Sequence, residues 1–109
     1  MCGIIVSTSQ DKLALQHKET LDKRGPDQSQ VLTESGITFS FHRLAIMDLD
    51  PSGMQPFQYK GCTLVANAEI YNYKDIKSQL STFDFTSSSD CEVLLPLYEE
   101  LGLEMFQYL

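Results

Sequence analysis

Two glycine-containing turns, each between short runs rich in β-branched and aromatic residues, constrain the fold of this chain more than any other feature. Gln30 to Thr33 and Ile37 to Phe41 flank the turn Glu34-Ser35-Gly36. A second segment, Phe57 to Ala66, turns at Lys60-Gly61. Short turns of this kind join antiparallel strands, and glycine supplies the backbone freedom they need. The sequence therefore predicts two β-hairpins.

The first part of the chain predicts one further strand and one helix. Gly3 to Ser7 is a short apolar run that does not alternate with polar residues, so we expect a strand buried on both faces. Ser9 or Asp11 is a suitable cap for a helix that runs to about Lys23. Gly25-Pro26 then ends this helix.

The last part of the chain predicts helices. Tyr73 to Leu80 forms a short one. Ser89 and Glu92 have the spacing of a capping box for a longer helix that ends at Gly102. Pro96 falls inside that helix and is expected to kink it, at a cost of about 3 kcal/mol if nothing compensates. The residues after Gly102 suggest a further helix. The apolar face of the longer helix comprises Leu94, Leu97, Tyr98 and Leu101.

Charge and cysteine content exclude several classes of protein. The chain has 109 residues, enough for one small domain, and its formal net charge of −7 argues against a surface for nucleic acid or anionic membrane. Cys2, Cys62 and Cys91 are odd in number and far apart, without the close pairs of a zinc or redox site. No segment approaches the length of a membrane span. We expect a soluble cytoplasmic protein with reduced thiols and no metal.

Cys2 is the one residue that is chemically distinctive at an end of the chain. If Met1 is removed, Cys2 carries a thiol and a free α-amine on adjacent carbons. A free thiol has a pKa of about 8.5 and an α-amine one of about 7.7 to 8, so proton transfer between them costs little near neutrality. Cys2 is then a candidate nucleophile with its own base.

Six short motifs extend over essentially the whole chain, and their order and spacing resemble the glutaminase domain of asparagine synthetase. The sugar-phosphate and purine members of the same class II amidotransferases have different motifs around Arg24 and Arg43, which favours the asparagine branch. The motifs are Met1-Cys2-Gly3-Ile4, Arg24-Gly25-Pro26-Asp27, His42-Arg43-Leu44-Ala45-Ile46, Gln55-Pro56, Asn67-Ala68-Glu69-Ile70-Tyr71-Asn72 and Ser89-Asp90-Cys91-Glu92.

This resemblance implies an α+β fold of the N-terminal-nucleophile type, an αββα sandwich of two antiparallel sheets. It also implies that residues 1–109 are the first part of a class II glutaminase domain, since family members continue where this sequence stops. No Ser-Gly-Gly-x-Asp-Ser pyrophosphate loop occurs in the sequence. ATP and magnesium would therefore belong to a synthetase domain outside this chain, and we expect no cofactor within it.

The resemblance further implies a mechanism. Cys2 would attack the side-chain amide of glutamine, and the Asn67 side chain and the Ala68 backbone N–H would stabilise the oxyanion. The family usually has glycine at position 68, either because the backbone there needs a positive φ or because a methyl group would crowd the thioester. If the backbone there needs a positive φ, alanine costs roughly 1 to 2 kcal/mol. If the N–H is turned away, the rate falls about a hundredfold to a thousandfold.

Substrate recognition is implied for a second set of residues. Arg43 would hold the α-carboxylate of glutamine with its planar guanidinium, although a solvated arginine is the alternative. Glu69 and Asp90 would bind the α-ammonium group, although Asp90 also suits the first turn of a helix. The residues expected to line the pocket beside Arg43 are Leu44, Ala45, Ile46 and Met47.

Three functional hypotheses follow. The first is the glutaminase part of an asparagine synthetase. The second is an impaired or inactive remnant that binds glutamine or a synthetase partner. The third, an unrelated cysteine hydrolase that uses Cys2 and His42, is disfavoured because a histidine at the end of a strand is more often structural. Cys62 suggests a core thiol, and Cys91 at a helix N-terminus could have a lowered pKa, which Asp90 opposes.

Overall fold

A computed structural model describes residues 2–8, 17–46 and 50–109 of the chain. This part contains five strands in two antiparallel sheets, three α-helices and three short 3-10 segments. The strands are β1 (Gly3–Ser7), β2 (Gln28–Glu34), β3 (Ile37–Arg43), β4 (Phe57–Tyr59) and β5 (Cys62–Leu64). The α-helices are α1 (Lys18–Asp22), α2 (Tyr73–Gln79) and α3 (Leu94–Leu101), and the 3-10 segments are Pro51–Gly53, Cys91–Val93 and Gly102–Gln107.

The first hairpin forms as predicted and joins β1 in a three-stranded sheet. The sheet has the order β1-β3-β2, so β3 is central and pairs with both neighbours. Ser35 and Gly36 form the two-residue turn with φ values of 50° and 78°, which are the positive values that such a hairpin turn requires. Because Gly3 lies opposite His42 in the sheet, Cys2 lies beside the end of β3.

The second hairpin also forms where predicted, with Lys60 and Gly61 at φ values of 46° and 79°. It is shorter than expected, because β5 ends at Leu64 rather than at Ala66. Asn67 therefore does not follow directly on the strand. The backbone of Ala66 instead bonds to the side chain of Gln55.

The prediction that β1 is buried on both faces is wrong. Ile4 and Val6 are 39% and 52% exposed, whereas Gly3 is buried. Successive side chains of a strand point to opposite faces. Only the Gly3 face is covered, where Leu21 of α1 packs so closely that a Cβ at Gly3 would lie 3.0 Å from its Cδ2.

The apolar core of the described residues belongs to the second half of the chain. Two adjoining clusters form it, and partly buried Leu64 and Ala66 pack against both. The larger cluster contains Ile70, Ile76, Leu80, Val93, Leu94, Leu97 and Met105, and the smaller contains Phe57, Cys91 and Leu95. Because Leu64 of β5 and Ala66 after it pack against both clusters, the core fixes the position at which the next segment begins.

Two predictions about α3 are corrected. Pro96 lies in the first turn of the helix, not in its interior, because the preceding residues form the separate 3-10 segment. A proline in the first turn removes no hydrogen bond from the helix interior. Tyr98 is 45% exposed and does not belong to the apolar face. Gly102 ends α3 with a φ of 57°, as predicted, and the residues after it form a 3-10 segment rather than an α-helix.

The predicted capping box between Ser89 and Glu92 does not form. Glu92 is 3% exposed, and its carboxylate accepts hydrogen bonds from the backbone N–H and hydroxyl groups of both Thr86 and Ser87. Ser89 Oγ accepts from the N–H of Cys91 at 3.3 Å. Glu92 therefore organises the segment before the helix instead of capping it.

The α+β class with antiparallel sheets is confirmed. The predicted start of the first helix, at Ser9 or Asp11, lies outside the described residues. None of the helices in the described ranges combines the length and the apolar composition that crossing a bilayer requires.

Candidate active site

The thiol of Cys2 is held against the chain segment that follows β3. Its Sγ accepts a hydrogen bond from the N–H of Leu44 at 3.3 Å and lies 3.6 Å from the Leu44 carbonyl oxygen, which can accept the thiol proton. The residue is partly buried. The nucleophile candidate thus has a fixed position at the beginning of β1.

The turn that contains Arg24 to Asp27 fastens this region from the other side. Arg24 Nε donates to the carbonyl of Cys2 at 3.4 Å. Asp27 receives a hydrogen bond from the N–H of Ala45 at 2.7 Å, and its own N–H donates to the carbonyl of Arg43 at 3.0 Å. The ends of β1 and β3 are therefore linked through one turn.

Arg43 is not a solvated surface arginine, since it is only 4% exposed. Its Nη1 donates to the side-chain oxygen of Gln28 and to the carbonyl of Asp50, both at 3.0 Å. These contacts fix the planar guanidinium, which lines a cleft. A positioned, nearly buried guanidinium is suited to bind a carboxylate in a bidentate manner.

His42 is buried on the face of β3 opposite to that of Arg43, and its ring nitrogens bond to residues other than Cys2. It is 0% exposed, and its Nδ1 lies 2.8 Å from the Asp22 carboxylate while its Nε2 lies 2.9 Å from the Ser40 hydroxyl. Both ring nitrogens therefore have partners within the fold. The hypothesis of a hydrolase that uses a Cys2–His42 pair is wrong, and the structural interpretation of His42 is confirmed.

Asn67, Ala68 and Glu69 lie in an exposed segment between β5 and α2. The carbonyl of Ala68 accepts a hydrogen bond from the Cys91 thiol at 3.4 Å. In the described part of the chain, positive φ values at residues other than glycine occur at Ser35 and Lys60. Ala68 therefore has no positive φ, and the strain considered for alanine at this position is absent.

Asp90 is buried beside this segment, with 8% of its surface exposed. Its Oδ2 accepts a hydrogen bond from the N–H of Ile70 at 2.7 Å. The carboxylate thus holds the loop and also lines the cleft. A negative charge at this depth can attract an ammonium group.

The lowered pKa suggested for Cys91 is wrong. Burial, together with the neighbouring Asp90 carboxylate, raises the pKa of the Cys91 thiol to about 12. Desolvation disfavours the thiolate more strongly than a helix N-terminus favours it. Cys91 is therefore a protonated thiol that donates to Ala68. Cys62, predicted to be a core thiol, is partly buried and packs against the smaller core cluster.

These side chains meet in one cleft of about 460 Å³. The first half of the chain contributes Cys2, Arg43 and Ile46 from the predicted set. The second half contributes Asn67, Ala68, Glu69 and Asp90. Leu44 and Ala45 lie next to the cleft through their contacts with Cys2 and Asp27, and Met47 lies outside the described residues.

Several other cleft-lining residues were not placed in the site by the sequence analysis. They are Phe41, Gly53, Gln55, Ala66, Tyr71, Ser89 and Cys91. Gln55 belongs to the Gln55-Pro56 motif, which contributes to the family resemblance but to which the sequence analysis gave no role. Phe41 shares a face of β3 with Arg43, so strand alternation could have found it.

The cleft combines a thiol, a guanidinium, the buried Asp90 carboxylate and the exposed Glu69 carboxylate, so it can bind a zwitterionic amino acid and offer a nucleophile to it. Within residues 2–8, 17–46 and 50–109, no group of three or more His, Cys, Asp or Glu residues has a geometry that could hold a metal ion.

Comparison with known protein families matches residues 1–109 to the family described as "Glutamine amidotransferase domain". The chain belongs to this family. Among curated proteins it is similar to asparagine synthetase [glutamine-hydrolyzing] 2 of Bacillus subtilis (strain 168), with 44% identity over 87 residues, 78% of this chain and 12% of that protein. It is also similar to asparagine synthetase [glutamine-hydrolyzing] of Zea mays, with 37% identity over 118 residues, all of this chain and 20% of that protein.

A probable asparagine synthetase [glutamine-hydrolyzing] of Acanthamoeba polyphaga mimivirus is 39% identical over 115 residues, 95% of this chain and 21% of that protein. The resemblance to the glutaminase domain of asparagine synthetase is thereby confirmed. The chain spans between 12% and 21% of the length of these relatives.

Proposed function

We propose that the chain is a glutaminase that works within an asparagine synthetase. The observation that carries this proposal is the single cleft into which distant parts of the sequence bring Cys2, Arg43 and Asp90. In a member of the glutamine amidotransferase family, a cleft that is lined by a thiol, a positioned guanidinium and a buried carboxylate suits glutamine. The proposed substrate is therefore glutamine, and the proposed products are glutamate and ammonia.

The reaction begins when the Cys2 sulfur attacks the side-chain amide carbon of glutamine. The C–S bond forms, the thiol proton passes to the α-amine of Cys2, and the oxyanion is stabilised by the Asn67 side chain and the Ala68 N–H. The C–N bond then breaks and the amine proton goes to the leaving ammonia. Water hydrolyses the γ-glutamyl thioester, which releases glutamate and restores the thiol.

Recognition of glutamine rests on charge complementarity. Arg43 binds the α-carboxylate, while Glu69 and Asp90 bind the α-ammonium group. Leu44, Ala45, Ile46 and Met47 form the wall beside the substrate. Removal of Met1 is required, because an amide nitrogen in a Met1–Cys2 peptide bond is no base.

Ammonia would pass to a synthetase partner domain or subunit, where ATP and magnesium would activate aspartate. The alternative function, an impaired remnant that binds glutamine or such a partner, drew support from alanine at position 68. That support is weaker than the sequence suggested, because Ala68 has no positive φ.

Glutamate release from glutamine tests the proposal. Cys2→Ala is expected to lower the rate at least about a thousandfold, since it removes the nucleophile. Cys62→Ala is the matched control, because Cys62 is also a partly buried thiol but does not line the cleft. Intact mass of the purified chain establishes whether Met1 is removed. Full activity of Cys2→Ala would overturn the assignment, and glutamine binding without turnover would favour the remnant.

A further inference from the structure

Gln55 makes an unusual pair of contacts with the backbone of one residue. It is 4% exposed, its Nε2 donates to the carbonyl of Ala66 at 3.1 Å, and its Oε1 accepts from the N–H of Ala66 at 2.6 Å. A planar amide that bonds both the donor and the acceptor of one residue restrains that residue's position and orientation together.

The register of the second hairpin explains why this contact matters. The backbone ladder ends with Phe57 opposite Leu64. If the ladder continued in the same register, Gln55 would lie opposite Ala66, two residues beyond the pair of Phe57 and Leu64. The side chain of Gln55, rather than its backbone, makes the hydrogen bonds to Ala66. Ala66 is therefore held as if the strand continued. The chain beyond it leaves the direction of the strand and lines the cleft.

The next residues are fastened at two further points. The Cys91 thiol bonds the carbonyl of Ala68, and the Asp90 carboxylate bonds the N–H of Ile70. Both anchors come from the segment at the beginning of the 3-10 turn before α3. Asn67 lies between the Gln55 anchor and the Cys91 anchor, in a segment that has no strand or helix of its own.

The Gln55 anchor acts directly on the peptide plane that leads into Asn67. The carbonyl of Ala66 and the N–H of Asn67 belong to the same planar peptide unit. By fixing that carbonyl, Gln55 fixes the direction in which the chain enters Asn67, and it thereby restricts the positions open to the Asn67 side-chain amide and to the following N–H of Ala68.

We propose that Gln55 is a positioning residue that aligns the two oxyanion donors, the Asn67 side chain and the Ala68 N–H. This inference rests on the proposed glutaminase function. Gln55 acts through Ala66, and its effect is confined to the step in which charge develops on the amide oxygen. A displaced donor loses most of its effect on the rate while substrate binding by Arg43 and Asp90 is retained.

Steady-state kinetics of Gln55→Glu tests this inference. The substitution keeps the shape of the side chain and its acceptor oxygen, but it replaces the donor to the Ala66 carbonyl by a second oxygen. We expect kcat for glutamate release to fall about tenfold to a hundredfold while KM for glutamine stays within about threefold. A kcat equal to that of the unsubstituted chain would overturn the inference.

The pH profile adds a readout that a purely structural role would not move. A carboxyl group can donate again once it is protonated, and burial beside the Ala66 carbonyl raises the pKa of a glutamate at position 55 above its usual value of about 4.3. The ratio of the variant's kcat to that of the unsubstituted chain is therefore expected to rise as pH falls toward about 5. A ratio that stays constant with pH would count against the inference.

Gln58→Ala is the matched control, because Gln58 lies in the same hairpin and its amide bonds the exposed Glu34 carboxylate instead of the loop. It is expected to leave kcat and KM unchanged. If Gln55→Glu does not fold, as judged by circular dichroism, Gln55→Met takes its place with the same expected loss of kcat and the same contradicting result.

The outcomes separate the two proposals. Equal kcat in the unsubstituted chain and the Gln55 variants overturns the role of Gln55 and leaves the glutaminase function intact. Absence of glutamate release from the unsubstituted chain, with Met1 removed, overturns the glutaminase function and this inference together. A selective loss of kcat that is regained at low pH supports both.

Discussion

The three-stranded sheet and the second half of the chain bury different kinds of side chain. In the sheet, Ser40, His42 and Arg43 are among the most buried residues. Ser40 and His42 bond to each other, and Arg43 bonds to Gln28. In the second half, the buried residues are mainly apolar, with Val93 at 0% exposure in the larger cluster. The cleft lies where these two regions meet.

This difference indicates that one region provides most of the stability and the other positions the polar groups at the cleft. Apolar burial contributes about 25 cal/mol per Å², whereas a satisfied buried hydrogen bond adds only about 1 kcal/mol net. The second half should therefore dominate stability. The sheet contributes chemical groups in fixed positions. The free-energy cost of burying these polar side chains is low, because each of their buried N and O atoms has a hydrogen-bond partner.

The largest effect on stability is expected for Leu97→Ala in the apolar region. Leu97 is 5% exposed and belongs to the larger cluster, and a Leu→Ala change in a core costs about 2 to 5 kcal/mol. Val6→Thr in the sheet, at a side chain that is 52% exposed, is expected to change the free energy of unfolding by at most about 0.5 kcal/mol. Urea titrations measure the free energy of unfolding of both variants. Equal losses of stability in the two variants would contradict the difference between the regions.

A smaller loss is expected when a buried polar contact of the sheet is broken. Asp22→Ala leaves the Nδ1 of buried His42 without its partner, which costs about 1 to 3 kcal/mol. Asp84→Ala, at an exposed aspartate, is the matched control and should have almost no effect. Thermal unfolding monitored by circular dichroism measures both. A loss for Asp22→Ala that exceeds that of Leu97→Ala would reverse the comparison between the two regions.

A pH-dependent effect is expected at Cys91, where the two regions meet. Because its folded pKa is raised to about 12, the unfolded chain loses this proton first as pH rises. The Cys91 contribution to stability is therefore complete at neutral pH and is lost as pH increases from about 9 toward about 12.

Cys91→Ser keeps a donor for the Ala68 carbonyl but does not titrate in this range. The free energy of unfolding of the unsubstituted chain should fall more steeply with alkaline pH than that of the variant. Parallel pH profiles from denaturant titrations would show that the thiol is not buried in solution as it is in the structure.

The smallest effect is expected for Ala68→Gly. Since Ala68 has no positive φ, glycine relieves no strain, and glutamate release should change by no more than about twofold. The rate assay on the same preparations as the Cys2 variants checks this. A gain of a hundredfold would restore the hypothesis that alanine at this position impairs the site.

Local sequence signals were sufficient for the hairpins. Ser35-Gly36 and Lys60-Gly61 adopt the positive φ values that their turns demand, and these depend on neighbouring residues only. The helix at Tyr73 and the end of α3 at Gly102 were predicted for the same reason. The motifs also named residues that the structure brings to one cleft, although their roles there remain predictions.

Tertiary contacts account for the features that sequence reasoning missed. Glu92 binds Thr86 and Ser87 instead of capping its own helix, because those groups lie upstream in an irregular segment whose path the spacing alone does not reveal. The pKa of Cys91 depends on burial, which overrides its position near a helix start. The contact of Gln55 with Ala66 requires the register of the hairpin.

Gly25 illustrates how a residue in a functional motif can be fixed for reasons unrelated to catalysis. A Cβ at this position would lie 2.0 Å from the carbonyl oxygen of His42 and 2.6 Å from the nitrogen of Arg43. Any side chain would push the end of β3 away. Selection for a folded protein alone would retain glycine here, so glycine at this position is no record of catalytic activity.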